Sequence, residues 1–201
     1  MVVATTATAD AAMSAAVRPR LFTIGEVETM VRAGVIGQDE HVELIEGQIV
    51  EMHARGTRHV WSVSRLTRMF NRRDDVVVTP QSTLELHGRS GPESDIVVLR
   101  VDTPQNRLPS RENAVLVIEV ADTSLVYDRG VKAPLYGRAG IPEYWIVDLN
   151  RERIEVYREP SPDGYRTVRF FLRGENLTPS FAPDTVIKVD DILGPSSLDE
   201  A

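Results

Sequence analysis

The chain has 201 residues, 42% of them hydrophobic and 26% charged, which is the size of about one domain and the balance of a chain with its own core. It contains no cysteine, which excludes disulfides, zinc ribbons, thiol catalysis and iron–sulfur ligation. The formal net charge is −7, so an even spread of charge would repel nucleic acid.

The charge is not even. Met52 to Arg73 holds no acid and six arginines: Arg55, Arg58, Arg65, Arg68, Arg72 and Arg73. A polyanion would have to meet that segment, or a metal held by acids elsewhere. No run approaches the ~20 apolar residues of a membrane span. Residues 1–20 are rich in Ala and Thr and lack the basic-then-apolar pattern of a secretory signal. They are expected to form a disordered arm, followed by one domain over 21–193 and a flexible tail over 194–201, in a cytoplasmic protein with no membrane partner.

In chain order, Thr23 with Glu26 is a capping-box pattern and predicts a helix over Ile24 to Ala33, stopped by Gly34. Val42–Ile45 and Gln48–Glu51 flank Glu46-Gly47 and predict a hairpin. Thr57 to Arg72 is amphipathic: His59, Val63, Leu66 and Phe70 form one stripe, and Arg58, Arg65, Arg68 and Arg72 lie on another face. Strands are expected at Val76–Gln81, Leu84–Leu86 and Asp95–Val101. The run Ala114 to Ala121 is almost wholly apolar, as in a strand buried on both faces. A helix over Ser124 to Arg138 should be kinked or split by Pro134. Strands Glu143–Leu149 and Arg153–Tyr157 follow, then a Pro162-Asp163-Gly164 turn, Tyr165–Leu172, and a weak strand at Val186–Val189. This is a mixed α/β or α+β domain on one sheet, with an N-terminal helix and hairpin.

Three residues stand out chemically. Glu119 closes the most apolar run of the chain, where a carboxylate is costly unless paired, hydrogen-bonded or metal-bound; a salt bridge or a rim position is the plain alternative. Asp95 opens a second apolar strand, and its plain reading is a turn aspartate. Two acids on neighbouring strands suit Mg²⁺, a hard cation that takes oxygen ligands and keeps several waters. Lys132 is one of only two lysines beside 21 arginines; it could orient a water or stabilise phosphate charge, or simply pair with Asp128 on a helix surface. Glu43 reads as a half-exposed strand acid. His59 reads as a core histidine or a neighbour of an active site. His41, His53 and His87 lack zinc-site spacing. There is no Walker loop, G-x-G-x-x-G or G-x-S-x-G. The arginine face is a solvated surface or a DNA contact.

Several fragments, in order, resemble one family. Val42-Glu43-Leu44-Ile45-Glu46-Gly47-Gln48-Ile49-Val50 is similar to the opening "ELI-D/E-G-x-I/V" hairpin of the Uma-type (Uma-two) putative restriction endonuclease family, and His59 falls where that family often has a histidine. Asp95-Ile96 resembles its "P-D-I/V" strand start, with Ser94 in place of the proline. Val117-Ile118-Glu119-Val120, then Ser124, Asp128, Lys132 and Tyr136, resembles "V-x-E-V…S…D…K…Y". Gly140-Ile141-Pro142-Glu143-Tyr144-Trp145-Ile146-Val147-Asp148 resembles "G-V-x-E-Y-W-V-V-D".

The resemblance implies a restriction-endonuclease-like core of the PD-(D/E)XK superfamily, a mixed sheet flanked by helices. It also implies a Mg²⁺-dependent (or Mn²⁺-dependent) site cleaving phosphodiester bonds. Asp95 and Glu119 would be the metal ligands. Lys132 would supply the lysine from the helix, since Ala121 stands at the usual position. Glu43 would be an additional acid and His59 a supporting group. The expected function is a DNA endonuclease, with Arg58, Arg65, Arg68 and Arg72 adding DNA affinity. A silent nuclease-fold module binding DNA or protein, or a hydrolase of small phosphorylated substrates, are the alternatives. A homodimer is allowed for, with Arg153–Tyr157 as an edge strand able to pair across chains.

Overall fold

The computed structural model describes residues 18–37, 39–52 and 56–195. The expected arm up to residue 17 and the tail from 196 lie outside the described residues, as does His53. In chain order the elements are α1 (Ile24–Arg32), β1 (Val42–Ile45), β2 (Gln48–Glu51), α2 (Thr57–Phe70), β3 (Val76–Thr83), β4 (Glu93–Arg100) and β5 (Ala114–Ala121). A helical crossover follows in three pieces: α3 (Leu125–Tyr127), a π-helical turn (Asp128–Lys132) and α4 (Ala133–Arg138). Then come β6 (Glu143–Asp148), β7 (Arg153–Ser161), β8 (Gly164–Leu172), β9 (Asn176–Leu177), β10 (Ile187–Lys188) and α5 (Val189–Leu193).

Strands β3 to β8 form one sheet in sequence order, and every neighbouring pair is antiparallel except β5–β6. A parallel pair needs a crossover, and the helical segment supplies it. Alternation then sorts the side chains. Ile96, Val98, Leu116, Ile118 and Trp145 face α2 and α5, packing on Val63, Leu66 and Phe70. Val97, Val117, Tyr144 and Ile146 face the crossover, packing on Leu135 and Tyr136. Both faces of β5 are therefore covered, which is why its sequence lacks polar alternation. Mixed α+β architecture is what the sequence pattern predicts.

Local chemistry fixes the peripheral pieces. The Thr23–Glu26 capping box is formed at α1. The β1–β2 turn places Glu46 (φ 50°) and Gly47 (φ 85°) in the left-handed region, as a two-residue type I′ turn requires. A Cβ at Gly47 would lie 2.6 Å from the Leu21 Cβ, so the chain before α1 packs directly on this turn. Serine 90 ties the hairpin down: its Oγ accepts from the Glu46 N–H at 3.0 Å. Gly137 lets α4 approach the backbone of Gly164, 2.3 Å from where a Cβ would stand.

Several expectations are corrected. Leu84–Leu86 is no strand; that stretch makes only isolated bridges, and Leu84 and Leu86 are buried as plugs under the crossover face. Val189 opens α5 rather than closing a strand, and β9–β10 is a separate small hairpin. Arg153–Tyr157 is not an edge: β7 is paired on both sides, by β6 and β8. The edges are β3 and β8. Among the described residues, no helix is long and apolar enough to cross a membrane.

One buried ion-pair cluster anchors the crossover. Glu155 on β7 is fully buried and receives Arg129 of the π turn, Arg153 at 3.0 Å and the Tyr157 hydroxyl at 3.0 Å. Burial alone would raise the Glu155 pKa; the bonds from Arg129 and Tyr157 and the charges of Arg129 and Arg153 outweigh it and hold the carboxyl below its usual range. A lowered folded-state pKa contributes stability above the unfolded value of about 4.3 and loses it as pH falls through the folded value. Replacing Glu155→Gln is expected to cost about 3 kcal/mol at pH 7 by urea unfolding. The variant should also lose stability less steeply than the parent below pH ~4.3. Parallel acid limbs would remove Glu155 from the account of acid sensitivity.

Candidate active site

The site is built where β4 begins and β5 ends. Ile96 and Ile118 are the last paired residues of the two strands, and Asp95 and Glu119 follow one step beyond. By alternation both point to the crossover face, with Val97 and Val117. Asp95 Oδ2 accepts the Val120 N–H at 2.8 Å, so the carboxylate continues the hydrogen bonding that the ladder has given up. The same oxygen meets His59 Nε2 at 2.8 Å. His59 belongs to the buried stripe of α2, which packs on the opposite face, so this helix reaches across the strand end to the site.

Lys132 lies in the π turn and is buried with its Nζ among three acceptors. These are Glu43 Oε1 at 2.8 Å, Glu119 Oε1 at 3.0 Å and the Glu93 carbonyl at 2.9 Å. One turn on, the Tyr136 hydroxyl donates to Glu119 Oε1 at 2.8 Å. That leaves the Ser94 hydroxyl to donate to the Tyr136 oxygen, also at 2.8 Å. The serine that stands in place of the family's proline thus orients the tyrosine that orients Glu119. Asp128, four residues before Lys132, is buried and accepts from Ser124 Oγ at 2.6 Å.

The π turn has a local cause. Pro134 has no N–H to give to the carbonyl four residues back. The Ala133 N–H instead bonds to the Asp128 carbonyl, five residues back. The kink expected from Pro134 is absorbed as a wider turn. Asp128, Lys132 and Tyr136 all remain buried on one side.

Four acids (Glu43, Asp95, Glu119 and Asp128) share a cleft of about 790 Å³ with Lys132 and His59. Burial pushes Glu119 well above the usual carboxylate range, despite Lys132, and raises Glu43 as well. Burial and the Asp95 and Glu43 charges push Asp128 up to about 6, against Lys132 and Ser124. Asp95 goes the other way: burial would raise it, but the His59 bond and charge, Lys132 and the Val120 N–H hold it down. Lys132 is held charged, since Glu119, Glu43 and Asp128 overcome its own burial. Acid outnumbers base in this cleft, and added positive charge would relieve the repulsion.

That excess suits a cation. The available donors are oxygens, as hard cations prefer, and Glu43 Oε2 is buried with no hydrogen-bond partner. Among the described residues, no three His, Asp or Glu side chains form a preformed metal cage. A Mg²⁺ site needs fewer, because that ion commonly takes one or two carboxylates and keeps water on its other positions. The donor set fits a two-carboxylate site on Asp95 and Glu119.

Asp95, Glu119, Lys132, Glu43 and His59 therefore lie together. Two plain alternatives are corrected: Glu43 is not half exposed, being covered on its side of β1, and Lys132 with Asp128 is not a surface pair. The arginine face divides. Arg58 is spent on the Leu149 carbonyl and Asn150, and Arg65 on the Ile192 and Leu193 carbonyls at 3.1 and 2.7 Å, holding the end of α5. Arg68 and Arg72 are exposed. Residue-level reading overlooked Ser94, Tyr136 and the buried role of Asp128; the spacing 128, 132, 136, one helical step repeated, was the available signal.

The family model described as "Uma2: Putative restriction endonuclease" matches residues 26–190. The chain belongs to this family. The Uma2 fold is also seen in a crystal structure of a putative nuclease belonging to DUF820 from Anabaena variabilis ATCC 29413, which is 17% identical with a TM-score of 0.66 over 86% of this chain and 97% of that one. At that identity the likeness concerns the fold. No curated protein matches the chain. Within this Uma2 member, all five residues of the cleft named above fall inside the matched segment.

If Lys132 holds two buried carboxylates together, its loss leaves both without a counter-charge. Lys132→Met is expected to cost about 3–5 kcal/mol in denaturant unfolding. Adding Glu119→Gln should restore part of that loss. A cost below about 1 kcal/mol would show that other groups neutralise the cleft.

Proposed function

We propose that this Uma2 protein is a divalent-metal-dependent DNA endonuclease that hydrolyses phosphodiester bonds. The supporting observation is a fully buried ammonium, Lys132, bridging Glu119 and Glu43 beside Asp95 at the wall of an open cleft. Asp95 and Glu119 would hold Mg²⁺, or Mn²⁺ in its place. When bound, the ion would supply Lewis acidity, acidifying a water and taking up charge from phosphoryl oxygens.

The remaining work falls to the chain's own groups. His59 and the Val120 N–H fix the Asp95 carboxyl in place and keep it ionised. Tyr136, itself oriented by Ser94, fixes Glu119. Lys132 presents positive charge where charge develops on the phosphate, at a site too dry for water to screen it. Asp128, with a pKa near 6, can exchange a proton near neutral pH. A homodimer and a cytoplasmic location belong to the same proposal. For the dimer, the surface is the open edge of β8, where Val168, Phe170 and Leu172 are exposed at alternate positions.

A second reading has one observation behind it. All three N–H bonds of Lys132 are already used inside the protein. A catalytically silent module binding DNA or protein would keep them so, whereas catalysis requires one to be exchanged for water or phosphate.

Plasmid nicking decides between the two. Mg²⁺-dependent nicking should vanish with EDTA. It should also fall by about 10²-fold or more in Asp95→Ala, Glu119→Ala and Lys132→Ala, each checked for folding. Full activity in Asp95→Ala would overturn the assignment. No nicking in the parent, with no carboxylate-dependent Mg²⁺ or Mn²⁺ binding, would establish the silent module. Turnover of nucleotides but not plasmid would establish a small-substrate hydrolase.

A further inference from the structure

The outer side of α2 has no part in the cleft, yet it borders a groove of its own. About 650 Å³ in volume, the groove runs between α2 and the edge strand β3. Val60, Val63 and Pro80 give it an apolar floor, and hydroxyl, amide and guanidinium groups line the rest. No acid lines it, in a chain whose net charge is −7. The hollow on the other flank of Arg68 and Arg72 does contain Asp190 and Asp191, but Asp190 is taken by Arg173 at 3.1 Å.

Three further observations point to a ligand. Arg68 and Arg72, unlike Arg58 and Arg65, have no hydrogen-bond or ion-pair partner among the described residues. Thr67 Oγ1, which lines the groove, is buried without a partner, although a helical threonine can donate to the carbonyl four residues back. Trp61 is 61% exposed and falls on the same helical stripe as Arg68 and Arg72. The edge of β3 is unsuited to receiving a protein strand. Pro80 lacks an N–H, and Gln81 sits at φ 48°, so an added strand would lose its ladder there.

We propose that this groove holds the sugar–phosphate backbone of duplex DNA flanking the bond to be cut. Arg68 and Arg72 contact phosphates, Thr67 a phosphate or sugar oxygen, and Trp61 the face of a sugar or base. The assignment of DNA as the occupant rests on the nuclease reading above. The geometry sets the distance. His59 stands in the cleft, and at 1.5 Å per helical residue Arg68 and Arg72 lie about 14 and 20 Å further along α2. At 3.4 Å per nucleotide these are contacts about four to six nucleotides from the reacting phosphate.

The test is equilibrium binding of a labelled duplex oligonucleotide by the full chain in EDTA, over a salt series, so that it does not depend on cleavage. The parent should bind with a salt-dependent affinity. The double variant Arg68→Ala/Arg72→Ala should bind more weakly, with the slope of log K against log salt reduced by about 2. Of the two tryptophans, Trp145 is fully buried, so emission quenched by DNA reports Trp61 and should disappear in Trp61→Phe. A double variant with parental affinity and slope, while the parent binds, overturns the groove and leaves the nuclease reading intact. A parent that binds no duplex overturns both. A reduced slope in a protein that never nicks with Mg²⁺ upholds the groove and removes the chemistry.

Discussion

A single ammonium group holds this fold to its site. Taking a charged amine out of water costs several kcal/mol unless every N–H is met. The acceptors for Lys132 come from β1, the start of β4 and the end of β5. These pieces are far apart in sequence, and the crossover that carries the lysine is a fourth. The hairpin, which shares no sheet with the main strands, is thereby fixed at the cleft wall by charge as well as by its turn contacts with Ser90. Stability and placement of the acids are one problem here, solved by the same atom.

The second organising constraint is how the two faces of the sheet cooperate. The face under α2 is apolar throughout its central strands, while the crossover face changes from apolar to ionic at one end. That change happens where β4 and β5 stop pairing, so the carboxylates occupy backbone positions the sheet no longer needs. His59 crosses from the apolar side to meet Asp95. The histidine keeps Asp95 ionised while burial drives Glu119 and Glu43 toward the protonated form, so neighbouring carboxylates have unlike proton affinities.

Much of the fold is legible in the residues because it follows from local rules. The capping box at Thr23, the Glu46-Gly47 turn and the apolar run of β5 each carry their own cause within a few positions, and each forms as read. The α2 stripe is likewise correct, though the helix ends at Phe70 with Asn71 as its cap, two residues short of the arginines. What fails is decided by tertiary context. Leu84 and Leu86 alternate like a strand but are buried by the crossover, and β7 gains a partner that its own sequence does not announce. The site is legible only in part. A carboxylate in an apolar run marks Glu119, but nothing in spacing brings Glu43 to Lys132; that link came through the resemblance. Nor does composition separate Arg65, bonded to the end of α5, from Arg68 beside it.

The π turn has a consequence for how this family can vary in length. Its wider loop accommodates one residue more than an α-helical path of the same span. Loss of any single residue between Asp128 and Ala133 would let the segment relax into regular helix and rotate everything after it by about 100° about the axis. Tyr136 would swing away from Glu119, and Gly137 would be carried off the Gly164 backbone it must touch. Side chains here can be exchanged one at a time, but the number of residues cannot, so alignment gaps in Uma2 relatives should avoid this stretch and collect in the loops that flank it.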